Sequence, residues 1–132
     1  MRRRYLLVTT AVTEVGIGLM LLVWPALPIA LLLGVDQSPS EALSIARIAG
    51  VALIALGVAC WLGRNDQGRP AQQGLLVGVL IYDVGATGIL AYTGWFLNLA
   101  GIAIWPAVAL HAGLSVWCLA CHSFKESMGH AE

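Results

Sequence analysis

Four long apolar stretches run through this chain, and each carries one ionisable residue inside it: Glu14, Arg47, Asp83 and His111. Any fold must accommodate all four. An ionised group at the centre of a hydrocarbon layer costs about 2.5–3.5 kcal/mol even on the lenient insertion scale. Such groups therefore turn inward and meet one another, and a function built into this chain should sit where they meet. Only 11% of the residues are charged, so the four are a large share of the charge present.

The stretches themselves set the class. The 132 residues are 59% hydrophobic with a mean hydropathy of +0.84, against about 45–50% apolar for an ordinary soluble domain. A membrane-crossing helix needs roughly 20 apolar residues. Four of them joined by short loops use nearly the whole chain, so the expected fold is all-α, a four-helix transmembrane bundle in a single membrane domain over 1–132. Net charge is zero, and the only basic cluster is Arg2-Arg3-Arg4. Nucleic-acid binding is therefore not expected. Although the start mimics a signal peptide, Glu14 interrupts the apolar run and no convincing small-residue cleavage site follows, so a retained first helix is expected. Three cysteines, an odd number, do not make a secreted disulfide framework.

The spans are expected at about 5–24, 41–63, 71–92 and 96–121. Pro25 and Pro28 break the first helix. The apolar piece Leu27–Val35, too short to cross, reads as a short interfacial helix or kinked extension ended by Gly34. Ser40 is the expected N-cap of the next span, with Glu41 in its first turn. The polar run from Arg64 to Pro70 makes one turn and Thr93-Gly94 another. Trp105, beside Pro106, marks an expected kink in the last helix. In this topology Arg2, Arg3, Arg4, Arg64, Arg69 and Lys125 fall on one side, while the opposite loops carry Asp36 and Glu41 without Lys or Arg. The positive-inside rule then puts both termini in the cytoplasm. Trp24 and Trp95 at the outer ends, and Trp61 and Trp117 near the inner ends, suit interfacial belts.

Small residues let membrane helices approach closely. Gly74 and Gly78, Gly50 and Gly57, and Gly16 and Gly18 are the candidates, read as ordinary helix packing. Thr13-Glu-Val-Gly16 resembles Tyr82-Asp-Val-Gly85, an acid before Val-Gly at similar depth. If this is a duplication, each half is one hairpin, related by an axis along the membrane normal.

Depths follow from the 1.5 Å rise per residue. Glu14 lies roughly 13 Å and Asp83 roughly 18 Å from the inner face, Arg47 roughly 9 Å and His111 roughly 21 Å from the outer face. On this count Arg47 pairs with Asp83, and Glu14 with His111 more loosely. Such pairs can fix helix register, or they can form a proton-linked or ligand-binding site centred on Glu14 and Asp83.

Cys60, Cys118, Cys121 and His122 gather near the inner helix ends. Three thiols and an imidazole suit a soft metal such as zinc or copper(I). Cys118-Leu-Ala-Cys121, however, lies within a helix and stands alone, and cysteine is a common small apolar residue there. No metal or cofactor is expected. The sequence has no glycine-rich phosphate loop, nucleophile elbow or HExxH motif, and no enzyme activity is expected.

Two resemblances can be stated on particular residues. Ala11-Val-Thr-Glu-Val-Gly-Ile-Gly-Leu-Met20 looks like the first helix of small multidrug resistance transporters, which implies a coupling acid at Glu14. The remaining helices depart from that family, with Arg47, Asp83, His111 and a proline-broken segment. Over most of its length the chain resembles small, uncharacterised four-helix bacterial inner-membrane proteins. The stretches are Pro25 to Gly34, Ala46 to Trp61, Leu80-Ile-Tyr-Asp83 and Trp105 to His111. That resemblance implies a multi-pass location in the bacterial inner membrane and no particular activity.

The functional expectation is a small non-enzymatic membrane protein, an accessory or interaction subunit that forms a homodimer or joins a larger complex. The alternative is a small proton-coupled transporter or ligand-binding protein centred on Glu14 and Asp83.

Overall fold

The computed structural model describes the backbone of residues 2–66 and 70–129, with side chains over 3–66 and 70–121. Among the described residues there are five helices and no strand: α1 (Arg2–Val23), α2 (Ala26–Leu33), α3 (Ser40–Gly63), α4 (Pro70–Phe96) and α5 (Ile104–Gly129). All but α2 are long and apolar enough to cross a membrane.

Local chemistry explains most of the boundaries. α1 gives way to α2 at Trp24-Pro25. α2 stops at Gly34, whose left-handed backbone (φ 69°) sends its N–H to the Ala30 carbonyl at 2.8 Å, a conformation glycine adopts without steric cost. α3 begins at Ser40 itself, after Pro39 and without a side-chain cap. The Ser40 carbonyl instead accepts the Ser44 hydroxyl at 3.0 Å.

The largest departure from the sequence reading lies between α4 and α5. Thr93 and Gly94 do not turn; α4 continues to Phe96, and α5 starts only at Ile104. The connecting residues 97–103 dock on α2. Gly101 N–H donates to the Leu32 carbonyl at 2.9 Å and Ala103 N–H to the Leu31 carbonyl at 2.8 Å. These are last-turn carbonyls that α2 cannot satisfy internally. A side chain at Gly101 would collide with the Leu31 carbonyl. The loop's position thus depends on a tertiary contact that no local turn signal announces. Pro106 consequently falls in the first turn of α5, where a missing N–H costs nothing, and it does not kink a helix interior.

α1 packs closely against α3, and α4 against α5; contacts between these two pairs, α1 with α5 and α3 with α4, are sparser. Two hairpin-like halves result, with Glu14 and Asp83 at equivalent places on the first helix of each. The α1–α3 seam is made by glycine. A Cβ added to Gly50 would lie 2.7 Å from the Gly18 carbonyl oxygen and 2.9 Å from the Leu22 nitrogen. Gly74 and Gly78, expected to pack, meet nothing within 4 Å, and neither do Gly85 and Gly88 on the same helix.

Toward the end of the molecule that holds the start of α1, all four long helices share an apolar core. It includes Leu6, Leu7, Leu76, Val79, Leu114 and Cys118. Arg3 closes that end by donating to the Cys121 carbonyl at 3.0 Å, and the Gln72 amide donates to the Gly63 carbonyl at 3.1 Å.

Replacing Gly50 by leucine should lower stability by about 1–3 kcal/mol, since an overpacked seam has only backbone to yield. Gly74→Ala and Gly78→Ala should stay within about 0.5 kcal/mol. Thermal unfolding in detergent micelles measures both; equal losses at the three positions would contradict the assigned seam.

Candidate functional site

Directly beyond the apolar core stands a polar layer. Glu14 on α1 follows Ala11 by about one turn, Asp83 on α4 follows Val79, and His111 on α5 precedes Leu114. The spacing that buries Leu76 and Val79 on α4 therefore also turns Asp83 inward. Glu14 and Asp83 are 0% exposed and His111 6%. One ligating atom from each of the three lies within 4.8 Å of the others.

Within this cluster His111 Nδ1 and Asp83 Oδ1 are 2.8 Å apart, a buried hydrogen bond. Among the described residues, Asp83 Oδ2 and both Glu14 oxygens have no hydrogen-bond partner. Tyr82 meets the His111 ring edge-on, with centroids 5.6 Å apart. Its hydroxyl is an electrostatic neighbour of Glu14 without reaching hydrogen-bonding geometry. One turn from each of His111 and Asp83, a hydroxyl binds back to the helix: Ser115 Oγ to the His111 carbonyl at 2.9 Å and Thr87 Oγ1 to the Asp83 carbonyl at 2.7 Å. Thr10, one turn before Glu14, is fully buried with its hydroxyl unpartnered.

Charge is the notable property of this layer. Two carboxylates face one imidazole, so even a protonated His111 leaves one negative charge over. No arginine or lysine among the described residues forms a salt bridge with either acid. A buried charge left uncompensated is strongly unfavourable. The layer must therefore take up a further positive charge, as a proton or as a cation.

Three of the four residues singled out from sequence thus converge. Arg47 does not. It is exposed on α3, one turn beyond Gly50, which itself packs at the level of Gly18 and Leu22. This places Arg47 about 13 Å along the axis from Glu14, so the Arg47–Asp83 pair is not formed and Asp83 pairs with His111. The reason is the α4–α5 boundary. His111 lies only about two turns into its helix, not four, which brings it level with Asp83. Sequence reasoning also passed over Thr10 and Ser115, whose four-residue spacing from Glu14 and His111 was the available signal, and gave Tyr82 no part in this cluster.

The thiols behave differently. Cys60, Cys118 and Cys121 are buried and free, and Cys118 Sγ donates to the Leu76 carbonyl at 3.3 Å. They do not form a group close enough to share an ion, among the described residues. The His122 side chain lies outside the described residues. Comparison with family models, curated proteins and solved structures finds no match for this chain.

Removing one partner of the Asp83–His111 bond should be felt and removing Arg47 should not. Asp83→Ala should cost about 1–2 kcal/mol, the upper range for hydrogen bonds between membrane helices, and Arg47→Leu less than about 0.5 kcal/mol. Chemical unfolding in mixed micelles gives both values; a larger loss for Arg47→Leu would restore the pairing read from sequence.

Proposed function

We propose that this chain is a four-helix transmembrane bundle of the bacterial inner membrane, with both termini cytoplasmic, and that it works as a small proton-coupled carrier. Glu14, Asp83 and His111 form its binding site. The observation that carries this reading is the buried triad with its surplus of acceptors, held between two helix pairs that are tightly packed within and loosely packed against each other. Intramembrane ionisable groups that face one another commonly mark ion or proton pathways. Two helix pairs around a central site suit alternating access by rocking. In this orientation Arg47 extends along the lipid-facing side of α3 toward the outer headgroups, as long basic side chains do. The likeness of α1 to small multidrug resistance transporters points to the same acid, Glu14.

The test is proton flux in liposomes. With an imposed pH gradient, vesicles containing the wild-type chain should collapse the gradient faster than empty vesicles. Glu14→Gln should return the rate to that of empty vesicles, while Arg47→Gln should leave it within about twofold, a difference below 0.5 kcal/mol in barrier height. Identical rates for wild type and Glu14→Gln would refute the carrier reading.

A second reading, an accessory subunit that self-associates or joins a larger complex, is favoured by α4. Its glycines 74, 78, 85 and 88 face open space at a spacing suited to close helix approach. Paired Gly78→Leu and Gly85→Leu should then abolish a cross-linked dimer in native membranes; an unchanged dimer band would remove α4 as its seam.

A further inference from the structure

We infer that Glu14, Asp83 and His111 bind one divalent transition-metal cation of the zinc type. This rests on the carrier reading above for its use, and names the class of ion carried; the site itself stands on geometry alone. The three ligating atoms already lie within 4.8 Å of one another. A tetrahedral ion with bonds of about 2.0–2.1 Å holds its ligands roughly 3.3 Å apart. To hold the ion, the His111 Nδ1–Asp83 Oδ1 separation opens from 2.8 Å and one Glu14 oxygen is drawn in. The ion takes the place of the proton between Nδ1 and Oδ1. Glu14 brings two oxygens that accept no hydrogen bond among the described residues, on a side chain that is completely buried.

The donor set selects the ion. Two carboxylates supply two negative charges, and a neutral imidazole supplies a nitrogen; a divalent cation leaves the buried layer neutral. Calcium demands six to eight oxygen ligands, and magnesium near-ideal octahedral oxygen coordination with retained water. A buried set of two carboxylates and one imidazole offers too few oxygens for calcium and a nitrogen that magnesium disfavours. Mixed oxygen and nitrogen donors with three protein ligands and one open position suit zinc and its first-row neighbours. The open position is what a carried ion, as opposed to a structural one, needs for entry and release. The thiols are a separate ligand class and lie outside this set, so sulfur coordination serves as the discriminating signature.

The experiment is cobalt(II) binding to the full chain in detergent, followed by absorbance and by metal analysis after equilibrium dialysis, with zinc competing for the same site. One cobalt per chain is expected, displaced by zinc and without a thiolate-to-cobalt charge-transfer band. Glu14→Gln should weaken binding at least tenfold, and a chain with Cys60→Ser, Cys118→Ser and Cys121→Ser should bind as the wild type does. No binding to folded wild-type protein, a thiolate band, or full affinity in Glu14→Gln would each overturn the inference. Circular dichroism and size-exclusion profiles of Glu14→Gln serve as its folding control, and the wild-type result stands without it. Gradient collapse in metal-free liposomes without metal binding would remove the metal and leave the carrier. Metal binding without flux, in vesicles supplied with zinc on one side, would remove the carrier and leave the site.

Discussion

Two carboxylates and one imidazole enclosed in an apolar interior cannot balance their own charge, and the rest of this molecule is arranged around that imbalance. Glu14 comes from one helix pair, Asp83 and His111 from the other. Asp83 and His111 satisfy each other through one hydrogen bond at 2.8 Å. Neither Glu14 oxygen accepts a hydrogen bond among the described residues.

The packing on either side of this layer is unequal. Toward the start of α1, side chains from all four long helices interlock, and Arg3 and Gln72 seal the helix ends. Beyond the layer, α1 and α3 are brought together by glycine contact at Gly18 and Gly50, and the 97–103 loop leans on α2 by backbone bonds. The glycine contact holds α1 against α3, while the loop's backbone bonds tie the α4–α5 half to α2. Above the apolar core the two halves thus meet at the polar layer and at this loop.

Much of this was legible in the sequence. The four apolar runs announce α1, α3, α4 and α5 because length and hydropathy suffice to find them, and Gly34 ends α2 where a glycine is needed. Glu14, Asp83 and His111 were legible as interior because the cost of lipid exposure leaves few alternatives. Arg47 shows the limit of that argument. It follows the buried Ala46 by one residue, a rotation of about 100° around the axis, and a long basic side chain near a helix end has water within reach. The loop after α4 shows a second limit. Thr93-Gly94 carries a local turn signal, but the chain turns where the carbonyls of Leu31 and Leu32 can be met, a partner some 70 residues away in sequence and invisible to local propensity. With that boundary displaced by about two turns, the depth count put His111 at the wrong level and exchanged its partner.

The convergence of Glu14 with Asp83 and His111 across the two halves is the central claim, and proximity cross-linking in native membranes measures it most directly. In a background where the three native cysteines are serine, cysteine is placed at pairs of positions and treated with a short thiol cross-linker. Glu14→Cys with His111→Cys should cross-link within one chain at high yield, as should Glu14→Cys with Asp83→Cys, whereas Arg47→Cys with Asp83→Cys should not. Efficient cross-linking of the 47–83 pair, with none for 14–111, would contradict the account.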